Sequence, residues 1–357
     1  MTGLQSLGLR SASLAAHGVG RRSLLIAGVG LALAACGRTE KLTASRTPRL
    51  DMKRLDSEVG AIAARAAPGV LGFGLMNLES GEFWVRLGDR TFPMMSVFKL
   101  PLGAAALAEA DAARLDLHEV LALSAKDLSP ALSPIAQAWP ARSTYTVDEL
   151  LVAAVRDSDN TAADVLMKRI GGPGAVTAWL QDQKLLEVRV DRYEREIQPD
   201  TYAMASFRPE WKDPAAFGAA LATVPPGRRH AATLAYMADP RDSATPRGML
   251  QLLAKLDGGA LLSQASTRRL LTLMSQTTRG GDRIRAGLPK AAAFAHRPGT
   301  SGTDQGLTAA FNDVGIFTLP DRRSYAVVAF LAGSTAPEPA RAALFADLGR
   351  VAVRSVG

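Results

Sequence analysis

Ser96-Val97-Phe98-Lys99 sets a serine three residues before a lysine, at the mouth of a largely apolar run, Leu100 to Leu115, free of β-branched residues. A helix there places positions i and i+3 on one face, with the Lys99 ammonium beside the Ser96 hydroxyl. A serine hydroxyl is a weak nucleophile until a neighbour takes its proton, and a desolvated lysine can do so. The helix start adds free backbone N–H groups and a positive dipole end, suited to a developing oxyanion.

Two further constellations follow. Ser158-Asp159-Asn160 sits between a helix spanning Val147 to Arg156, opened by the capping box Thr146-x-x-Glu149, and a helix spanning Thr161 to Ile170, stopped by Gly171-Gly172. The triplet therefore occupies a tight turn between two helices. Val188 to Gln198 is dense in charge and has neither helical nor strand periodicity, which predicts an irregular loop carrying Glu194.

Together the three resemble the class A serine β-lactamases, relatives of the penicillin-binding proteins, whose motif set is S-x-x-K, S-D-N and K-T-G. The resemblance runs from about Asp51 to Val356. It implies Ser96 as nucleophile, Lys99 as a base, Ser158 as proton relay and Asn160 as an orienter of the substrate amide. D-R-Y-E-R-E resembles the family's omega loop, which implies Glu194 as activator of the hydrolytic water. Gln198 stands where an asparagine usually helps hold that water. Arg192 and Asp242 fall where the family pairs an arginine and an aspartate across the neck of the loop. Penicillin-binding proteins generally lack the loop glutamate.

The third motif departs from the family. Here the chain reads His296-Arg297-Pro298-Gly299-Thr300, so arginine replaces the lysine and proline the hydroxyl residue. Arginine keeps the cation but is larger, and proline removes a hydroxyl and an N–H. N–H groups alternate sides along a strand, so 298 and 300 share one side. Thr300, the residue after the motif glycine, is implied by the resemblance to lend its N–H to the oxyanion, so the N–H that Pro298 lacks is on the cleft side as well. The resemblance implies Arg297, Thr300 and Arg283 as substrate-binding residues, with Arg297 pointing toward Ser158 and Arg283 supporting a substrate carboxylate. His296 reads as a satisfied strand-end histidine; the four histidines form no triad-like setting.

Around these residues the chain predicts an amphipathic helix over Asp51 to Ala66, a hairpin of Val70 to Asn77 with Glu82 to Leu87, and a strand pair of Gly306 to Leu319 with Ser324 to Ala332. A closing helix spans Pro337 to Val353. Strands at both ends and helices between them give an α/β fold: an antiparallel sheet with flanking terminal helices plus an all-α domain, as in β-lactamases and transpeptidases. The expected division is an α/β domain of 51–95 and 276–357, and an all-α domain of 96–275. The latter holds the omega loop and an insertion near 199–239. One helix, Ala215 to Thr223, is expected there, stopped by Pro225-Pro226-Gly227.

Residues 1–36 read as a signal peptide. Arg21-Arg22 precede an apolar run too short to span a bilayer, which ends Leu33-Ala34-Ala35-Cys36, resembling a lipobox. Cys36 is the sole cysteine, so an internal disulfide is excluded and lipidation is its expected role. Residues 37–50 form a polar tether. This leader holds three arginines and no acid, so of the +8 net charge +5 lies beyond it. Arg228-Arg229-His230 and Arg322-Arg323 are short clusters without interleaved aromatics, read as solvated surface and not a nucleic-acid groove.

The expected activity is hydrolysis of a β-lactam through a serine acyl-enzyme, needing no metal or cofactor. The expected form is a periplasmic, lipid-anchored monomer whose partner is the small-molecule substrate, exported by the Tat or the Sec route. A D,D-peptidase or esterase of the same fold, and a non-catalytic descendant that binds β-lactams or peptidoglycan, are the competing readings.

Overall fold

The computed structural model describes residues 49–130 and 132–356. The leader, Cys36 and most of the tether lie outside the described residues. Sequence periodicity names the central sheet. Tyr325 to Ala332 is apolar at every position, as a strand buried on both faces must be. Its odd-numbered residues Val327, Ala329 and Leu331 face one core, and Ala326, Val328 and Phe330 face the other.

Six strands build that sheet: β1 (Val70–Asn77), β2 (Phe83–Arg86), β3 (Ala293–Thr300), β4 (Thr303–Asp304), β5 (Leu307–Thr318) and β6 (Ser324–Ser334). The order is β2-β1-β6-β5-β3, with β4 also on β5, and every pairing is antiparallel. β3 is therefore an edge strand, with its free side toward the site.

One face of the sheet packs on the chain termini. Leu55 and Val59 from the helical run 52–65, and Phe345 and Leu348 from helix Glu338–Arg354, cover Phe73, Phe317 and Val327. The other face meets the helical part of the chain through Phe92, Val97, Leu250 and Val314. A Cβ on Gly72 would strike the Phe92 ring, so glycine there is what lets Phe92 stack 5.7 Å from Phe330 against the sheet.

Three expectations change. The Ser96 segment is a 3-10 turn, Met95–Phe98, and the helix proper is Lys99–Asp111. In a 3-10 turn, side chains at i and i+3 eclipse, which brings Ser96 and Lys99 together more directly than an α-helix does. The charged loop is not wholly irregular: Glu194–Asp200 is helical, because the Glu196 carboxylate accepts from the Tyr193 N–H at 2.9 Å and caps it. The insertion holds two helices, Pro214–Ala222 and Pro226–Ala238. Pro225-Pro226-Gly227 ends the first and starts the second, since proline at the first helical position has no N–H to leave unpaired.

Candidate active site

The 3-10 turn presents Ser96 from a strained base: Met95, not a glycine, holds φ +47°. Its sulfur accepts from the buried Tyr236 hydroxyl at 2.8 Å, fixing the turn from below. Gly299 of β3 packs against the same turn so tightly that a Cβ there would collide with the Met94 carbonyl and lie 3.0 Å from the Val97 nitrogen. Close backbone contact of this kind brings the strand beside Ser96.

Lys99 is fully buried, and its Nζ is the hub of the site. It lies 3.2 Å from Ser96 Oγ, 3.4 Å from Ser158 Oγ, 3.0 Å from the Ser158 carbonyl and 2.5 Å from Asn160 Oδ1. Glu194 Oε1 is 3.2 Å away on the remaining side, itself buried. That is more oxygens than an ammonium has protons. Burial pushes Lys99 below its ordinary value; Glu194 opposes this and the nearby Arg297 cation adds to it. A lysine so placed is poised to exchange a proton with any of these oxygens.

Ser158 owes its position to a left-handed backbone, φ 67°, at the end of the helical segment Ala153–Asp157. Asp159 caps the next helix, Asn160–Arg169, through the Ala162 N–H at 2.8 Å. Asn160 Nδ2 also donates to the Pro130 carbonyl at 3.0 Å, which locks the amide orientation.

The Glu194 carboxylate is aimed by groups at both ends of its turn. Gln198 Nε2 donates to its Oε2 at 2.9 Å, and its N–H donates to the buried Asp164 carboxylate at 2.7 Å. Asp164 also accepts from Ser129 Oγ at 2.5 Å and from the Arg195 N–H at 3.1 Å. Sequence reasoning missed Asp164; an acid inside the apolar stretch Ala162 to Leu166 was the available signal. At the neck of the loop, Arg192 Nε meets Asp242 Oδ2 at 2.6 Å, so the pair forms despite the insertion.

On the strand side, Pro298 lies opposite Asp313 within an uninterrupted register. Ser301 N–H donates to Ala310 at 2.9 Å, which puts the odd-numbered N–H groups on the ladder and those of 298 and 300 on the free edge. Both residues line the cleft with Ser96, Ser158 and Asn160. Arg283 Nη2 donates to Thr300 Oγ1 at 2.5 Å while its guanidinium lies over Phe311.

Arg297 corrects the expectation. It does not line the cleft or touch the Ser158 hydroxyl. It is fully buried, donating through Nε to the Ser96 carbonyl at 3.0 Å and through Nη1 to the Val155 carbonyl at 2.6 Å. The longer side chain ties the nucleophile turn to the helical segment Ala153–Asp157, which ends at Ser158. Burial pushes it down to about 9. A second cation that the sequence reading passed over, Arg279, lines the cleft beside Pro298 and Gly280. His296 is satisfied by Asp313, 2.7 Å away. Arg229 is not solvated surface: it pairs with Asp304 at 3.0 Å.

The comparisons agree on one family. A model described as the beta-lactamase enzyme family matches residues 54–356. The extended-spectrum beta-lactamase PER-1 of Pseudomonas aeruginosa is 30% identical over 312 residues, covering 87% of this chain and 88% of that protein. Beta-lactamase VEB-1 of the same organism is 28% identical over 284 residues, covering 79% and 83%. Among solved structures, a beta-lactamase from Chitinophaga pinensis DSM 2588 superposes with TM-score 0.68 at 32% identity, covering 83% of this chain and 97% of that one. An ancestral (GNCA) class A beta-lactamase gives 0.67 at 31% identity, covering 84% and 99%.

Proposed function

We propose a division of labour among the cleft residues from the premise that the chain belongs to the β-lactamase enzyme family, as a class A serine β-lactamase that hydrolyses the β-lactam amide bond and so confers antibiotic resistance. The observation that carries the assignment is the position of Lys99 Nζ, within 3.4 Å of Ser96 Oγ, Ser158 Oγ and Glu194 Oε1 alike.

Lys99, with Glu194 acting through a water, takes the Ser96 proton. The Ser96 oxygen attacks the lactam carbonyl, and the N–H groups of Ser96 and Thr300 receive the oxyanion. Ser158 passes a proton on to the leaving nitrogen, which opens the ring and leaves an ester on Ser96. Asn160 orients the substrate amide. Glu194, held by Gln198 and Asp164, then draws a proton from a water that attacks the ester; the bond from the acyl carbon to Ser96 breaks, and the serine oxygen takes a proton back from Lys99. This carboxylate, buried beside Lys99, supports the β-lactamase over the D,D-peptidase reading, since penicillin-binding proteins generally lack it. Thr300, with Arg283 behind it, serves the substrate carboxylate in place of the missing motif hydroxyl. The lipobox resemblance at Cys36 supports a periplasmic, lipid-anchored enzyme.

Intact-mass spectrometry with a penicillin, beside nitrocefin turnover, tests the roles. Ser96→Ala is expected to lose at least roughly 10³-fold in turnover and to form no adduct. Glu194→Ala is expected to acylate and then stall, accumulating the covalent mass. Rapid turnover by that variant overturns the assignment of Glu194.

A further inference from the structure

The insertion is not a surface appendage. Its middle segment is fastened to both walls of the cleft. On the helical wall, Lys212 Nζ donates to the Trp139 and Ala136 carbonyls at 2.6 and 3.2 Å, and Gln137 Nε2 donates back to the Lys212 carbonyl at 2.6 Å. That wall is the one that carries Ser158, since the Ile135 N–H donates to Asp159. On the sheet wall, Arg229 pairs with Asp304 at 3.0 Å, and Gln305 Nε2 donates to the Pro226 carbonyl at 2.7 Å. Between these anchors Tyr202, Met204 and Trp211 form a small core of their own with Phe207, Phe217 and Leu221.

The strap meets the cleft at one end only. Following the strand and its continuation, Gly280 and Arg283 abut Pro298 and Thr300, Tyr202 abuts Gly302, and Arg229 holds Asp304. At about 3.3 Å per residue, these contacts spread over roughly 20 Å. The cleft thus carries Arg279 and Arg283, with the acids Asp282 and Glu338, at the 298–300 end, and apolar side chains beside the Arg229-paired Asp304 at the 302–304 end. There Phe217 and Leu221, four apart on helix Pro214–Ala222, turn one face inward. Leu132 adds an exposed apolar side chain to the lining. The nucleophile turn packs against Gly299, at the 298–300 end.

A penicillin carries a carboxylate on its fused ring, which suits Thr300 and Arg283, and an acylamino group at the far side of the lactam. We propose that the inserted helix is a specificity element, with Phe217 and Leu221 receiving a flat, apolar acylamino side chain of the β-lactam. This rests on the hydrolase reading and adds the substrate class. The cavity, about 680 Å³, has room for a bicyclic lactam with an aromatic arm. A carboxylate held by Thr300 and Arg283 fixes which way round the lactam enters, so the arm falls on the inserted helix.

The test is the ratio of kcat/KM for benzylpenicillin, which carries a phenylacetyl arm, to that for 6-aminopenicillanic acid, which carries none. Phe217→Ala and Leu221→Ala are each expected to lower this ratio about tenfold, the effect of an unfilled apolar contact in a substrate pocket. Phe217→Leu keeps apolar packing against Trp211; it is expected to lower the ratio about threefold, and carries the test if the alanine variant does not fold. A merely structural role would depress both substrates together, and a ratio within twofold of the parent's overturns the proposal. A parent enzyme inactive on both penicillins would overturn the hydrolase reading, and this inference with it.

Discussion

Burial makes the site reactive and also sets its response to pH. Lys99 and Glu194 lie side by side out of water, where a proton shared with Ser96 and Ser158 costs little to move. Asp164 is also buried, and it holds the backbone that carries Glu194. Burial lifts its carboxyl from 3.8 to about 6, against the pull of Arg195 and Ser129. A folded value above the unfolded one means that the native state binds more protons between the two. The contribution of this group to stability therefore grows as pH falls through about 6 and is weakest above it. Asp164→Asn removes that term. Relative to the variant, the parent is expected to gain on the order of 1 kcal/mol between pH 7 and pH 5. Thermal melts of both proteins at the two pH values check this; parallel shifts would show that Asp164 does not titrate there.

At the scale of elements, charge and periodicity do different work. Arg192 and Asp242 are buried, and they close the omega loop over a detour of fifty residues of sequence. Arg192→Ala is expected to destabilise the fold by about 3 kcal/mol, the low end for a broken buried pair. Burial already pushes the Asp242 carboxyl up, so it can take a proton once its partner is gone. Chemical denaturation measures the loss, and a change under 1 kcal/mol would make the pair incidental. The edge strand gives a second case. Pro298 costs the ladder nothing because its missing N–H faces the cleft, so Pro298→Thr is expected to leave stability unchanged while supplying a hydroxyl beside Arg279. A hydrogen bond to a charged group is worth about 1.5–3 kcal/mol, so KM for penicillins should fall tenfold or more. An unchanged KM would place the substrate carboxylate elsewhere.

These elements also show what the sequence makes legible. The parity of Pro298 and Thr300 follows from strand period alone, and so does the alternation along Tyr325 to Ala332. The burial of Arg297 does not. The resemblance implied a substrate-binding cation, but tertiary packing buries the longer side chain on the carbonyls of Ser96 and Val155. The helix Pro226–Ala238 was hidden for a local reason: two prolines and a glycine stop one helix and cap the next with equal ease. Asp164 and Phe217 were hidden because an acid in a helix, or an aromatic in an insertion, acquires meaning only from what lies across the cleft.

The whole molecule is one compact body beyond residue 46, with its sheet enclosed between two cores. The body closes where its ends meet: Leu50 bridges Val356, and its N–H donates to Glu82 at 2.7 Å. Among the described residues, the cleft is lined from Ser96 onward. Between Cys36 and that closure run residues 37–48, a stretch that extends to at most about 40 Å. A lipid on Cys36 would hold the enzyme at a membrane surface and leave the cleft free to meet a diffusing substrate. Two acyl chains are enough for stable anchoring where one is marginal. Cys36→Ser is expected to move the protein from the membrane fraction to the soluble periplasm, with kcat/KM on nitrocefin within twofold of the parent's. Fractionation of cells expressing the two forms, with the mass of the purified parent, decides it. A parent found wholly in the soluble fraction, or a mature mass that begins elsewhere than residue 36, would refute the anchor while leaving the hydrolase intact.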